Sequence, residues 1–319
     1  VNLVSGQRLT LESGAVSVAE ETNFVVSGTL DLDHAIDVAG TVTVGNTAVF
    51  VLEWDSEGGN SQTFALFDLT SGGTLLDWTG LTTDNISVDV SLRGGGAVFN
   101  DDGTVTVTTG KSGESITLVW NGGAAGDWNT TETNWSHEGK EERFYAGDNV
   151  VFDTDGDVSV SVAPAGVRPG AVTISAGTVS FSGGQVMAEE GFTVKSGTLK
   201  LTANDNIAGD VTVNAGGALD LNGQSEDISE NGLGRLTLDG GSLVNNGGNV
   251  EVGSAQITSV ALTADSTFGG TGDFGIIARG YAATSLDLGR HTLTKQGANT
   301  LHLVNTSVTA GTLAVTAGT

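Results

Sequence analysis

The sequence has no cysteine, two prolines, one methionine and only 12 lysines and arginines among 319 residues. Without cysteine, disulfides, thiolate zinc sites and iron–sulfur clusters are excluded together. The redox compartment stays open. Against the 12 basic residues stand 38 acidic ones, a net charge of 12 − 38 = −26. Such a chain repels phosphate backbones, so no nucleic-acid partner is expected. Anionic membrane surfaces repel it as well. No run of 18 or more apolar residues occurs, so no helix here spans a membrane and no membrane insertion is expected. No charged-then-apolar signal stretch opens the sequence, and Val1 falls within a repeat. We therefore expect a processed or excised piece of a longer chain.

Glycine is what the sequence has in excess: 49 residues, about 15% of the chain and roughly twice the usual share. It follows no Gly-X-Y period, which excludes collagen. Hydrophobic residues at 38% are too many for a disordered glycine-rich linker, and they alternate with polar ones. One phrase recurs: glycine, a small or polar residue, an aliphatic, a polar residue, an aliphatic. It reads Gly14-Ala15-Val16-Ser17-Val18, Gly28-Thr29-Leu30-Asp31-Leu32 and Gly40-Thr41-Val42-Thr43-Val44 in the first part. Later come Gly177-Thr178-Val179-Ser180-Phe181, Gly197-Thr198-Leu199-Lys200-Leu201 and Gly217-Ala218-Leu219-Asp220-Leu221, starting 20 residues apart.

Each phrase predicts a short strand with one aliphatic face inward and one polar face outward. Glycine and asparagine at the strand ends supply the positive φ that tight turns need. A sandwich has no reason to keep a fixed 20-residue period, whereas one coil of a solenoid does. The expected fold is all-β: a right-handed parallel β-helix of about 20 residues per coil, interrupted by an irregular antiparallel β module. Residues 1–49 are expected to be the last coils of a first array. Residues 50–115, with longer apolar runs and the turn Asp101-Asp102-Gly103, read as an antiparallel cap or insert. Residues 116–153 form a tryptophan-rich inter-array linker, and 154–319 a second array.

The linker holds Trp120-Asn121-Gly122-Gly123, Gly126-Asp127-Trp128-Asn129, Asn134-Trp135 and Gly147-Asp148-Asn149-Val150-Val151-Phe152-Asp153. This string resembles the opening of a passenger-associated repeat array in bacterial autotransporters. Near the end, Leu293-Thr294-Lys295-Gln296-Gly297-Ala298-Asn299-Thr300-Leu301 is similar to the core of that repeat, and Thr309-Ala310-Gly311-Thr312-Leu313 to its closing strand. The resemblance covers 116–319, with Trp120, Trp128, Trp135, Gly147, Asp148, Phe152, Lys295 and Gly297 as its structural signature. It implies a β-helix exported through an outer membrane to the bacterial cell surface by a C-terminal β-barrel translocator, which this sequence does not contain. It implies little about a ligand.

Chemistry is harder to find. His34, His137, His291 and His302 are scattered and form no HExxH pair, so a zinc protease is unsupported. Neither Gly-x-Ser-x-Gly nor Gly-Asp-Ser-Gly occurs, which removes the usual serine nucleophile. A polysaccharide lyase needs clustered cations, yet Lys195, Lys200, Arg235, Arg279 and Arg290 stand alone. Asp205, Asp210 and Asp220 could line one face as glycosidase carboxylates, although solvated outward positions are the plainer reading. Asp153, Asp155 and Asp157 offer calcium its preferred oxygen donors, but the glycine sits one position early for an EF-hand and we read a polar turn. The tryptophans could stack on sugars, but covering a solenoid end is the stronger reading. We assign no catalytic residue, cofactor or firm metal site.

The expected function is a non-enzymatic adhesin or rigid scaffold at the cell surface, binding host glycans, mucins or matrix proteins, or self-associating, through a repeated polar face. The alternatives are a β-helix polysaccharide lyase or glycoside hydrolase, and a passive stalk with no ligand.

Overall fold

The computed structural model describes every residue except 1, 12–15, 33, 55–60, 89–92, 109–114, 205, 226–232, 252–256, 279 and 281. Gly14, Ala15, Asp205 and Arg279, all named above, lie outside the described residues. Among those described the chain is β-structure with two 3₁₀ turns and no α-helix. It divides into two compact units, residues Val1–Ile116 with Tyr145–Gly147, and Thr117–Phe144 with Asp148–Thr319. Each unit is a β-solenoid of stacked parallel strands, with about 12 turns in all and about 22 residues per turn.

In the second unit the recurring glycine phrase becomes the strands Thr178–Gly183, Gly197–Lys200, Gly217–Asp220 and their successors, each paired in parallel with the next. Val179, Leu199, Leu219, Leu243 and Phe268 are register partners and form one buried column. They meet because period-two alternation puts every second residue inside, and parallel strands stack about 4.8 Å apart. Partners Thr178, Thr198, Ala218, Ser242, Thr267, Thr294 and Ala314 give steps of 20, 20, 24, 25, 27 and 20 residues by subtraction. The 20-residue period is thus the minimal coil, and the extra residues lie between strands. Gly177 shows why glycine opens the phrase: its φ is +64°, and a Cβ there would sit 2.2 Å from the Gly156 carbonyl of the preceding coil.

In the first unit, parallel pairing runs on past residue 49. Phe67–Asp68 pairs with Ile36–Val38, Thr74–Leu76 with Thr41–Val44, and Ile86–Val88 with Val49–Leu52. A further coil therefore threads through the segment we expected to be irregular throughout. The reason is in the pattern: Ile86-Ser87-Val88 repeats the alternation of Phe50-Val51-Leu52 and pairs with it. The antiparallel part is a three-stranded sheet of Ser61–Ala65, Gly96–Phe99 and Thr104–Thr108. Asn100 N–H donates to the Thr104 carbonyl at 2.8 Å, closing the hairpin at Asp101-Asp102-Gly103. Phe99, Val105 and Val107 of this sheet join the same buried core as Phe50, Phe67 and Trp78.

The segment 116–153, expected as a linker, is mostly a coil of the second unit. Thr117–Trp120 pairs in parallel with Asn149–Phe152, and Ala125–Trp128 with Asp157–Val162. Antiparallel strands appear only at Trp135–His137 and Lys140–Glu142. In this coil the large rings of Trp120, Trp128 and Phe152 occupy interior positions beside the buried aliphatic partners Leu118 and Val150.

Candidate binding face

Outward positions of the parallel sheets are the candidate site. On the larger sheet of the second unit, Thr173, Thr193, Thr212 and Thr237 are successive register partners, each half-buried. The column continues through Ala261, Asp287 and Thr309. Each threonine lies between two buried apolar residues, such as Val172 and Ile174 or Phe192 and Val194, so alternation alone turns it outward. β-branching suits the pleat and fixes the rotamer, so the hydroxyls repeat once per coil.

Polar side chains tie neighbouring coils together. The Ser242 and Thr267 hydroxyls are 2.7 Å apart, and Thr284 donates to Thr306 at 2.8 Å. Asp239 accepts from Thr263 at 2.9 Å and from the Asn214 amide at 3.3 Å. Asp287 accepts from Gly289 N–H and from the Thr309 hydroxyl, both at 3.1 Å. The Gly289 N–H, followed by Thr309, holds its carboxyl below the usual aspartate value, with a small opposing effect of desolvation. In the first unit Thr70 and Thr104 do the same for Asp68 and Asp102.

The signature residues do other work. Trp128 and Trp135 are 0% exposed and Trp120 is buried. Their rings, with Phe144, Phe152 and Phe181, form one aromatic cluster with centroids about 5–6 Å apart, such as 5.0 Å for Trp120 and Trp135. Buried rings offer no face to a sugar. Only Trp120 finds a partner for its indole N–H, the Gly123 carbonyl at 2.9 Å; those of Trp128 and Trp135 have none. Asp148 is fully buried, and its carbonyl accepts Gly170 N–H at 3.0 Å. Gly147 has φ +86°. Lys295, 1% exposed, faces inward, and burial pushes its ammonium below the usual lysine pKa while Asp273 partly opposes this. Gly297 follows it with φ +82°.

The two sets of aspartates named from sequence are placed as follows. Asp153, Asp155 and Asp157 are exposed, and among the described residues no three His, Asp or Glu side chains gather as metal ligands. Asp153 follows the strand Asn149–Phe152 and Asp157 opens the strand Asp157–Val162, so the three lie along the turn between two strands. Asp220 does not share an outward face with Asp210. It is buried and accepts from Asn222 N–H, Asn246 N–H and the Asn246 amide at 2.9–3.1 Å, so it builds a turn. Asp210 is exposed and accepts the Arg235 N–H at 2.8 Å.

Sequence reasoning missed most of the buried asparagines. Asn245 donates to the Gly248 and Asp273 carbonyls and accepts from Gly223 and Gly247 N–H, so it bonds main chain on every side. Buried Asn206 and Asn299, and half-buried Asn222, donate to carbonyls of the preceding coil. Nothing common in sequence marks them, since only Asn222 is followed by glycine. No family model, curated protein or solved structure matches this chain.

Proposed function

We propose that this chain is a non-enzymatic, surface-displayed passenger segment that acts as an adhesin or rigid scaffold. Its ligands are host glycans, mucins, matrix proteins or like molecules, met by the outward polar face of the solenoid. The observation that carries the reading is the in-register column Thr173, Thr193, Thr212 and Thr237, which repeats one hydroxyl per coil. Single hydroxyl contacts contribute only about 1 kcal/mol each, but a repeated array engages a repetitive ligand with avidity gains on the order of 10²–10⁴. Display at a bacterial surface rests on the resemblance of 116–319 to autotransporter passengers. Self-association faces repulsion from −26 charges per copy, so it strengthens as salt or divalent cations are added.

The test is binding of the purified chain to immobilised glycans, mucins, matrix proteins and copies of itself, with and without calcium, with glycan cleavage assayed in parallel. Saturable binding that is lost when Thr193 and Thr212 become lysine, while the fold persists, supports an adhesin. Silence on every surface makes the chain a passive stalk. Turnover of any glycan replaces the proposal with a carbohydrate-active enzyme.

A further inference from the structure

Lys295 stands where the solenoid otherwise places apolar side chains. In the strand Thr292–Lys295, Leu293 and Lys295 are buried while Thr292 and Thr294 face out. Its register partners are Phe268 on the coil before and Val315 on the coil after. It is the one buried lysine or arginine among the described residues. Among the described residues no carboxylate bonds to it. Its Nζ donates to the carbonyls of Gln296 at 3.1 Å, Gly297 at 3.2 Å and Ala317 at 3.3 Å, which uses all three of its protons. Two of these carbonyls belong to its own turn and the third to the turn of the next coil.

The corner around the ammonium is closely fitted. Gly318 has φ +71°, and a Cβ there would lie 2.4 Å from the Asn299 carbonyl, 2.6 Å from that of Gly297 and 2.8 Å from Lys295 Nζ. The next strand, Thr312–Val315, is held at its far end by Thr316 N–H donating to the Lys295 carbonyl at 2.9 Å.

Hydrophobic patterning alone does not fix how this coil docks. Leu313 and Val315 alternate along the strand, and Ala317 continues the apolar alternation in sequence just beyond its end. A slip of two residues therefore keeps an apolar face inward, unlike a slip of one. Something that recognises a single position has to choose, and a buried polar group that bonds in only one alignment does that. We propose that Lys295, with Gly297 and Gly318, is a cationic register lock that sets the alignment of the coil 306–319 on the coil before it. A two-residue slip takes the Ala317 carbonyl away from the ammonium and brings a side chain into the space that Gly318 leaves open.

The natural absence of cysteine allows a direct test by disulfide crosslinking. Thr294 and Ala314 are register partners, so the pair Thr294→Cys with Ala314→Cys reports the native alignment. Thr294→Cys with Thr312→Cys, or with Thr316→Cys, reports slips of two in either direction. In the otherwise unaltered chain the native pair dominates. With Lys295→Met, which keeps length and apolarity, we expect the ratio of native to slipped crosslinks to fall about tenfold, the factor that loss of one charge-assisted bond brings. Gly318→Ala, which leaves the charge in place, should shift the ratio the same way. Hydrogen exchange over Val172–Ile174 and Phe192–Val194 checks that the remaining coils stay folded. An unchanged ratio in both variants overturns the lock. Loss of all three crosslinks also overturns it, because Lys295 would then attach the coil without selecting its register.

Discussion

Each unit contains one large aromatic cluster, and the two are built differently. In the first unit Trp78 packs edge-on against Phe99 at 4.8 Å, Phe67 at 5.5 Å and Phe50 at 5.6 Å, and its indole N–H donates to the Asn100 carbonyl at 2.7 Å. The antiparallel sheet supplies Phe99 to this cluster, so it covers the coil with strands of a different kind. In the second unit the rings sit within a coil that keeps parallel pairing on both of its sheets, and two indole N–H groups are buried without partners. An aliphatic column ends where no further coil follows. Both units solve that problem with rings too large for an ordinary coil, but only the first also satisfies the polar atom of its central tryptophan. At the other extreme, Val308, Leu313 and Val315 of the coil 306–319 are exposed although their register partners Leu286, Leu293 and Lys295 are buried.

Truncating the centre of each cluster gives the largest expected effect. Trp128→Ala and Trp78→Ala should each cost about 3–5 kcal/mol, from lost burial plus the cavity left behind. Denaturant unfolding, followed by hydrogen exchange in each unit separately, would show whether the loss stays within the unit that carries the change. Equal loss in both units would break the comparison, since it would make the clusters one cooperative structure.

Conservative replacement separates the two designs more finely. Trp78→Phe abandons the bond to the Asn100 carbonyl, which keeps only the Gly103 N–H at 3.1 Å, whereas Trp128→Phe removes a donor that had no partner. The first should therefore cost more than the second by about 1 kcal/mol in the same unfolding assay. Costs in the reverse order would mean that the Trp128 indole N–H is satisfied after all.

The buried asparagines invite a matched pair of changes. Asn85 in the first unit donates to the Asn46 and Ala48 carbonyls at 3.0 and 2.8 Å and accepts Thr82 N–H at 2.8 Å, much as Asn245 serves the second. Alanine at either position should cost about 1–3 kcal/mol by stranding backbone groups. Urea midpoints at constant slope would measure it.

The smallest effect is in the carboxylates. Asp287 in the second unit and Asp68 and Asp102 in the first all titrate below the usual aspartate value because backbone or hydroxyl donors bond the charged form. Folded carboxyls with lowered pKa stabilise above the unfolded value, and that contribution is lost as pH falls through the folded value. Stability should thus decline only on the acid side of the ordinary carboxylate range. Asp287→Asn should flatten that decline slightly in the second unit alone, as read by NMR titration and acid unfolding.

The recurrence of Gly177, Gly197 and Gly217 made the solenoid legible, because a fixed period with period-two alternation has one economical packing. The hairpin at Asp101-Asp102-Gly103 was equally readable, since turn chemistry is local. The coil running through Phe67, Leu75 and Ile86 was not, because its strands are short and separated by segments that pair elsewhere. Asp220 and Asp210 look alike in sequence. They differ because one points at a turn two coils wide and the other at solvent, which local patterning does not encode.

The candidate face was legible in the same partial way. Alternation gives each outward threonine, but the column Thr173 to Thr237 exists only because the intervening turns bring four strands into one register. Sequence by itself thus determined the strand-forming phrase, its minimal 20-residue period, the acidic balance and the absence of thiol chemistry. Tertiary structure decided which rings cover which coil, which asparagines and aspartates are buried, and what the inward Lys295 touches. Local propensity acts over a few residues, whereas each of these outcomes depends on atoms one coil away, 20 or more residues distant along the chain.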